Sequence, residues 1–103
     1  MILVTVMYPA AGGTKFDLDY YQSKHIPLGK ERWGGPGLKQ VQVVKGLSKA
    51  DGGSAEYQVM ALITFGSLDD FKAAGTAHGR EIFADIPNFT DSQALVQINE
   101  ILS

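Results

Sequence analysis

The chain has no cysteine. Disulfides, thiolate metal sites and cysteine nucleophiles are thereby excluded, and a reducing, cytosolic setting fits. Basic charge is scarce as well. A net charge of −2, with no clustered basic run, gives no electrostatic footprint for nucleic acid. Long apolar stretches are missing: the first, Ile2 to Met7, is too short to cross a bilayer and follows no positive segment. Neither a membrane span nor a signal peptide is expected. The two histidines, His25 and His78, stand far apart without paired ligand spacing, so no metal site is legible. Gly34-Gly35-Pro36-Gly37 closes a helix instead of opening one, which would present an anion with the wrong dipole end. No Ser/His/Asp arrangement can be read. These absences predict a soluble cytoplasmic protein without cofactor, nucleic-acid or membrane partner. Its 103 residues suffice for one domain with a core of its own.

What is present falls into six elements. Ile2, Val4, Val6 and Tyr8 alternate with Leu3, Thr5 and Met7, a run apolar on both faces that reads as a central strand. After a loop from Pro9 to Gly13, Asp17 is placed to cap a helix running to Trp33, which Gly34 to Gly37 then stop. Pro27 lies inside that helix. It cannot donate to the carbonyl of Ser23 and its ring crowds the same turn, so a kink or restart is predicted beside His25. Leu38 to Val44 and Tyr57 to Phe65 alternate as strands, joined by a turn around Asp51-Gly52-Gly53. Ser67-Leu68-Asp69-Asp70 resembles a capping box opening a helix through Ala74. Gly75 is expected to end or interrupt that helix, with a second short piece from Ala77 to Ala84. Pro87 to Ser92 reads as loop and Ala94 to Ile101 as the last strand.

The order β-α-β-β-α-β predicts an α+β, ferredoxin-like domain: a four-stranded antiparallel sheet with both helices on one face. Nothing in that order covers the other face. Because the strands are apolar on both sides, a bare face would form a patch that monomers rarely tolerate. A C₂ homodimer is the simplest remedy.

Phe16-Asp17-Leu18-Asp19-Tyr20-Tyr21, then Lys24-His25-Ile26-Pro27-Leu28, Trp33-Gly34 and Gly37-Leu38 resemble the EthD family, named for ethyl tert-butyl ether degradation. Phe65 and Phe71 suit its pattern; the glycine-rich stretch from Gly46 to Glu56 carries no family signal. The resemblance implies a dimeric α+β barrel, in which two ferredoxin-like sheets pack face to face. That superfamily includes monooxygenases that need no cofactor, muconolactone isomerases and haem-dependent enzymes, so chemistry has to be argued from the site. A haem on His25 falls within that range, but no other residue supports it.

His25 is the leading candidate, as a proton-transfer group in a cleft under the first helix. Its bland alternative is a brace for the kink, bonded to Asp17, Tyr21 or a freed carbonyl. Side chains four apart share a helix face, so Asp17, Tyr21, His25 and Leu28 form one row. Tyr21 is the catalytic partner candidate, and Tyr8, Tyr20, Trp33 and Tyr57 are candidates to line a substrate cleft. Against them stands the commoner use of such aromatics as core. Lys24 reads as a surface charge and Asp17 as a cap. His78, Arg80 and Glu81 read as solvent-facing. The function expected is catabolism or tailoring of a small apolar or aromatic compound by cofactor-independent oxidoreductase or isomerase chemistry. The alternatives are a non-catalytic carrier of such a compound and an accessory subunit of an oxygenase system.

Overall fold

Backbone alternation in the strands builds the platform. In the computed structural model, which describes residues 1–11, 15–35 and 37–103, β1 (Ile2–Pro9), β2 (Leu38–Lys45), β3 (Tyr57–Phe65) and β4 (Leu95–Glu100) form one antiparallel sheet in the order β2-β3-β1-β4. Of the segments predicted as loop or helix stop, Gly12, Gly13 and Pro36 lie outside the described residues. Val4, Val6 and Tyr8 of β1 stand in register with Ile63, Ala61 and Val59 of β3, and all six are buried beneath the helices. The turn between β2 and β3 closes on Gly52, whose φ of 91° is the left-handed conformation glycine takes without penalty. The order is the predicted one, and the fold is the ferredoxin-like α+β arrangement.

The first helical region has three consecutive parts: an α-turn, Leu18–Tyr20 (α1), a π-helical stretch, Tyr21–His25, and an α-helix, Ile26–Trp33 (α2). Asp17 caps it as expected, accepting from the Tyr20 N–H at 3.0 Å. The predicted kink takes the form of the wide turn. Pro27 has no N–H for the carbonyl of Ser23, and the N–H of Ile26 donates instead to Tyr21 five residues back. Pro27 thus sits in the first turn of α2, where its missing donor costs nothing.

One expectation for the second helix fails. Leu68–Ala84 (α3) is a single helix of 17 residues, with no break at Gly75. Ser67 caps it through the Asp70 N–H at 3.1 Å. Phe71, Ala74, His78 and Ile82 recur at helical spacing along its inner side and are half-buried or buried. That packing outweighs the roughly 1 kcal/mol that an interior glycine costs. His78, predicted to face solvent, is half-buried, whereas Arg80 and Glu81 are exposed as expected. The C-terminus of α3 leads through Asp85 into a 3₁₀ turn, Ile86–Asn88, and on to Phe89, which is fully buried.

On the opposite face, Leu3, Thr5 and Met7 stand in register with Thr64, Leu62 and Met60, and Gln42, Val44, Leu95, Gln97 and Asn99 complete the surface. None of these paired residues is charged. Among the described residues no helix is long and apolar enough to cross a membrane.

Candidate functional site

A cleft opens between α2, α3 and the sheet. Val6 and Tyr8 from β1, Ala61 and Ile63 from β3, Leu38 and Val41 from β2, and Ile82, Phe83 and Ile86 from the α3 end make its apolar walls. Tyr21, His25, Ile26, Gly29, Lys30 and Trp33 form the side under the first helix. The wide turn decides which groups arrive there: it carries Tyr21 and His25 inward together, their rings stacked at 5.5 Å and 17°. Leu28, expected in the same row, is half-buried and does not line the cleft. The wider turn has rotated the face away from it.

His25 is buried, with 6% exposure. Neither Asp17 nor Tyr21 braces it by a hydrogen bond. Its Nδ1 lies 2.9 Å from Oδ2 of Asp85, which sits just past the end of α3. The same carboxylate accepts at Oδ1 from the Tyr20 hydroxyl at 2.7 Å and from Asn88 Nδ2 at 2.9 Å. Burial pushes the Asp85 carboxyl upward, but hydrogen bonds from Asn88, Tyr20 and His25 outweigh it, and the group ends below the ordinary range. Burial pushes His25 down more strongly than the carboxylate pulls it up, so its pKa lies below the usual 6.5. At neutral pH the pair is therefore a neutral imidazole beside an ionised carboxylate. An ionised carboxylate can only accept, which places the imidazole proton on Nδ1 and leaves a lone pair on Nε2. None of the described residues hydrogen-bonds Nε2, and His25 is among the residues that line the cleft.

The tyrosines divide between cleft and brace. Burial drives the Tyr8 and Tyr21 phenols well above their ordinary value, and the interaction between the two side chains offsets part of the rise at Tyr21. Both remain protonated donors. Tyr20 faces away from the cleft and holds Asp85; that hydrogen bond is the main reason its own pKa rises. Tyr57 is half-buried at the sheet end, paired with Pro9, and does not line the cleft. The candidates brought together are therefore Tyr8, Tyr21, His25 and Trp33, whereas Tyr20 acts one step back and Tyr57 stands apart.

Three residues at the site carried little or no sequence signal. Asp85 and Asn88 lie 60 and 63 positions after His25 in an unremarkable helix exit, and only the packing of α3 against the first helix joins them. Phe89 stood in a predicted loop, yet its ring packs 4.6 Å from His25 and 5.0 Å from Tyr21. An apolar aromatic following Pro87-Asn88 was the one available hint. Among the described residues, no group of three or more His, Asp or Glu side chains is arranged to hold a metal ion.

The family model for the EthD domain matches residues 14–93. An EthD-like protein from Ralstonia eutropha is 38% identical, with a TM-score of 0.89 over 99% of this chain and 92% of that one. An ethyl tert-butyl ether degradation (EthD) family protein from Bacillus halodurans superposes with a TM-score of 0.77 at 19% identity, covering 99% of both chains. SnoaB, a cofactor-independent oxygenase from Streptomyces nogalater, shares the fold at a TM-score of 0.64 and 12% identity, over 99% of this chain and 92% of its own. No curated protein matches the chain.

Proposed function

We propose that this chain, which belongs to the EthD family, binds a small, largely apolar organic compound in the cleft and removes a proton from it with His25. The observation that carries the reading is a buried imidazole lining an apolar cleft, with its Nδ1 held 2.9 Å from the Asp85 carboxylate. A base whose pKa lies somewhat below neutrality is fully in its working form at physiological pH, and apolar walls strengthen its hydrogen bond to a bound acid. Asp85 is a positioning residue: it selects the tautomer and holds the ring, as a carboxylate does for other catalytic histidines. Protonated Tyr21, stacked on the imidazole, is available to donate to the oxygen that gains charge.

From an abstracted C–H or O–H two outcomes balance. Returning the proton to a different carbon isomerises the compound with no net electron change. Alternatively, the deprotonated compound reacts with O₂ so that a CH₂ becomes C=O while the second oxygen atom leaves as water. The likeness to a cofactor-independent oxygenase shows shared fold alone, and the geometry at His25 supports the proton removal common to both outcomes. A second copy of the chain, packed on the uncharged outer sheet face, completes the assembly we propose; the supporting observation is that face's lack of charge in every strand pair.

The test is a panel of aromatic alcohols, cyclic ketones and ethers, scored by thermal shift for binding and by deuterium exchange at acidic C–H and oxygen uptake for turnover. His25→Ala is expected to lower turnover by roughly 10²–10⁴ while affinity changes far less. Turnover that survives the substitution would refute the base assignment. Binding by the wild type with no turnover of any kind would point to a carrier.

A further inference from the structure

One side chain at the cleft is unlike the rest. Ile26, Gly29, Lys30 and Trp33 line it from α2, and their spacing of i, i+3, i+4 and i+7 is that of the apolar stripe a helix turns to a core. A lysine is out of character in such a stripe. Lys30 is exposed as well as cleft-lining, so its stem follows the wall and its ammonium stands at the mouth, in water. Among the described residues of the lining it is the one group with a formal charge at neutral pH, since His25 is neutral there and no carboxylate contributes to the walls. Solvation accounts for an ammonium in that place but leaves it without a partner. Arg32, two residues on, holds Glu31 at 3.0 Å and Glu81 of α3 at 2.6 Å. The oxygens of Asp85 are taken by His25, Tyr20 and Asn88. Lys30 forms no ion pair or hydrogen bond among the described residues. At Gly29, beside it on the stripe, an added Cβ would meet nothing within 4 Å, so the wall next to Lys30 is bare backbone bordering open space.

We infer that the cleft takes an apolar compound bearing a carboxylate, with its hydrocarbon body between the walls and the anionic group at the mouth beside Lys30. The assignment deepens the proton-transfer reading and rests on it at the His25 end; the Lys30 end stands on charge and position. His25 and Lys30 are five residues apart, roughly 7.5 Å along the helix axis. A bicyclic aromatic acid with an acidic hydroxyl at its far end spans that separation. The uncommitted cation draws such an anion to the opening and decides which end enters first. Placed the other way round, the carboxylate would lose its water among apolar walls and lie nearer the ionised Asp85. A neutral compound of the same shape would gain the burial without the orientation.

Three probes of one skeleton separate the ends: 6-hydroxy-2-naphthoate, its neutral carboxamide, and 2-naphthoate, which lacks the hydroxyl. By calorimetry at low salt the wild type is expected to prefer the hydroxy-acid over its carboxamide roughly fivefold, the scale of one partly solvated ion pair. High salt should erase that preference. Lys30→Met should weaken both carboxylates by the same factor and leave the carboxamide in place. Lys30→Glu should weaken them further, and Lys30→Arg should retain them. Lys24→Met, at an exposed lysine outside the lining, should change none of the three. His25→Ala should weaken the two hydroxyl-bearing probes and spare 2-naphthoate, so a failed His25 arm leaves the Lys30 arm readable. A carboxamide bound as tightly as its acid, equal weakening of all three probes by Lys30→Met, or no binding by any of them at millimolar concentration would overturn the assignment. The salt comparison is read on the wild type, so the test stands even where a variant fails to fold.

Discussion

Replacing Asp85 by asparagine exchanges one oxygen for an NH₂ and should reverse the polarity of the site. In the wild type the carboxylate accepts three hydrogen bonds, at 2.7 Å from Tyr20 and at 2.9 Å from both Asn88 and His25. An asparagine has one oxygen and one NH₂. The Asn88 NH₂ needs an acceptor, so the oxygen stays on that side, where the Tyr20 hydroxyl also donates to it, and the NH₂ faces Nδ1. The imidazole must then accept at Nδ1 and carry its proton on Nε2. The lone pair that worked in the cleft becomes a donor. Two charge-assisted hydrogen bonds weaken to neutral ones and one reverses, a loss of about 1–3 kcal/mol. For a domain of this size that is a fall in Tm of roughly 5–15 °C.

The effect on turnover is larger, because a base held in the wrong tautomer loses on the order of 10⁴ in rate. The measurement is a long-range ¹H–¹⁵N correlation spectrum of the imidazoles, with His78 as the internal reference because the chain has two histidines. The wild type should show His25 protonated on Nδ1 at neutral pH, and Asp85→Asn should show it on Nε2. The carboxylate also raises the His25 pKa against burial, so the variant should titrate lower still. A wild-type imidazole protonated on Nε2, or a variant with unchanged tautomer and unchanged turnover, would refute the reasoning.

Gly29→Ala should raise stability by up to about 1 kcal/mol, since its Cβ meets open space and alanine is the better helix former. Gly29→Leu should fold yet abolish ligand binding in calorimetry, because Gly29 lines the cleft and the added side chain would occupy it; undiminished binding would show that ligands enter elsewhere. Leu62, opposite Thr5 and Gln42 on the uncharged face, is the site to test assembly. Leu62→Lys should turn a dimer into a monomer in sedimentation at micromolar concentration, and a monomeric wild type under those conditions would remove the premise. Turnover should decline with an acid limb below pH 6.5, because His25 works neutral and its pKa is depressed. Stability follows the same sign. The folded state resists protonating His25, so its contribution is whole above pH 6.5 and falls as pH drops toward the folded value. Chemical denaturation between pH 7 and 5, with His25→Gln as control, measures that share.

Strand alternation, the Asp17 and Ser67 caps and Pro27 are local signals, and each was legible because its cause lies within a few residues. The break at Gly75 was misjudged for the opposite reason. Gly75 weakens a helix locally, but Phe71, Ala74, His78 and Ile82 pack along the sheet side, and burial decides the outcome. Tyr20 and Tyr21 could not be told apart by spacing alone, since the wide turn between residues 21 and 25 sets which ring points inward. Tyr57 alternates in phase with the core yet lies two strand repeats from Ala61, the nearest cleft-lining residue of β3.

Asp85 marks where reading from sequence had to stop, and the reason bears on how the site forms. The histidine and its carboxylate come from opposite halves of the chain, and neither has its working state alone. An imidazole on an isolated first helix would be hydrated and would titrate near its ordinary value. An aspartate at a free helix end would be one more solvated charge. Docking α3 against the first helix does both jobs at once: it dries the imidazole, which lowers its pKa, and it delivers the acceptor that orients the proton. The same contact buries Phe89 against the ring and brings Arg32 of α2 to Glu81 of α3, at 2.6 Å. A base tuned in this way exists only when the two helices are packed. Substitutions in that packing, far from any ligand, should therefore move the His25 titration before they unfold the protein.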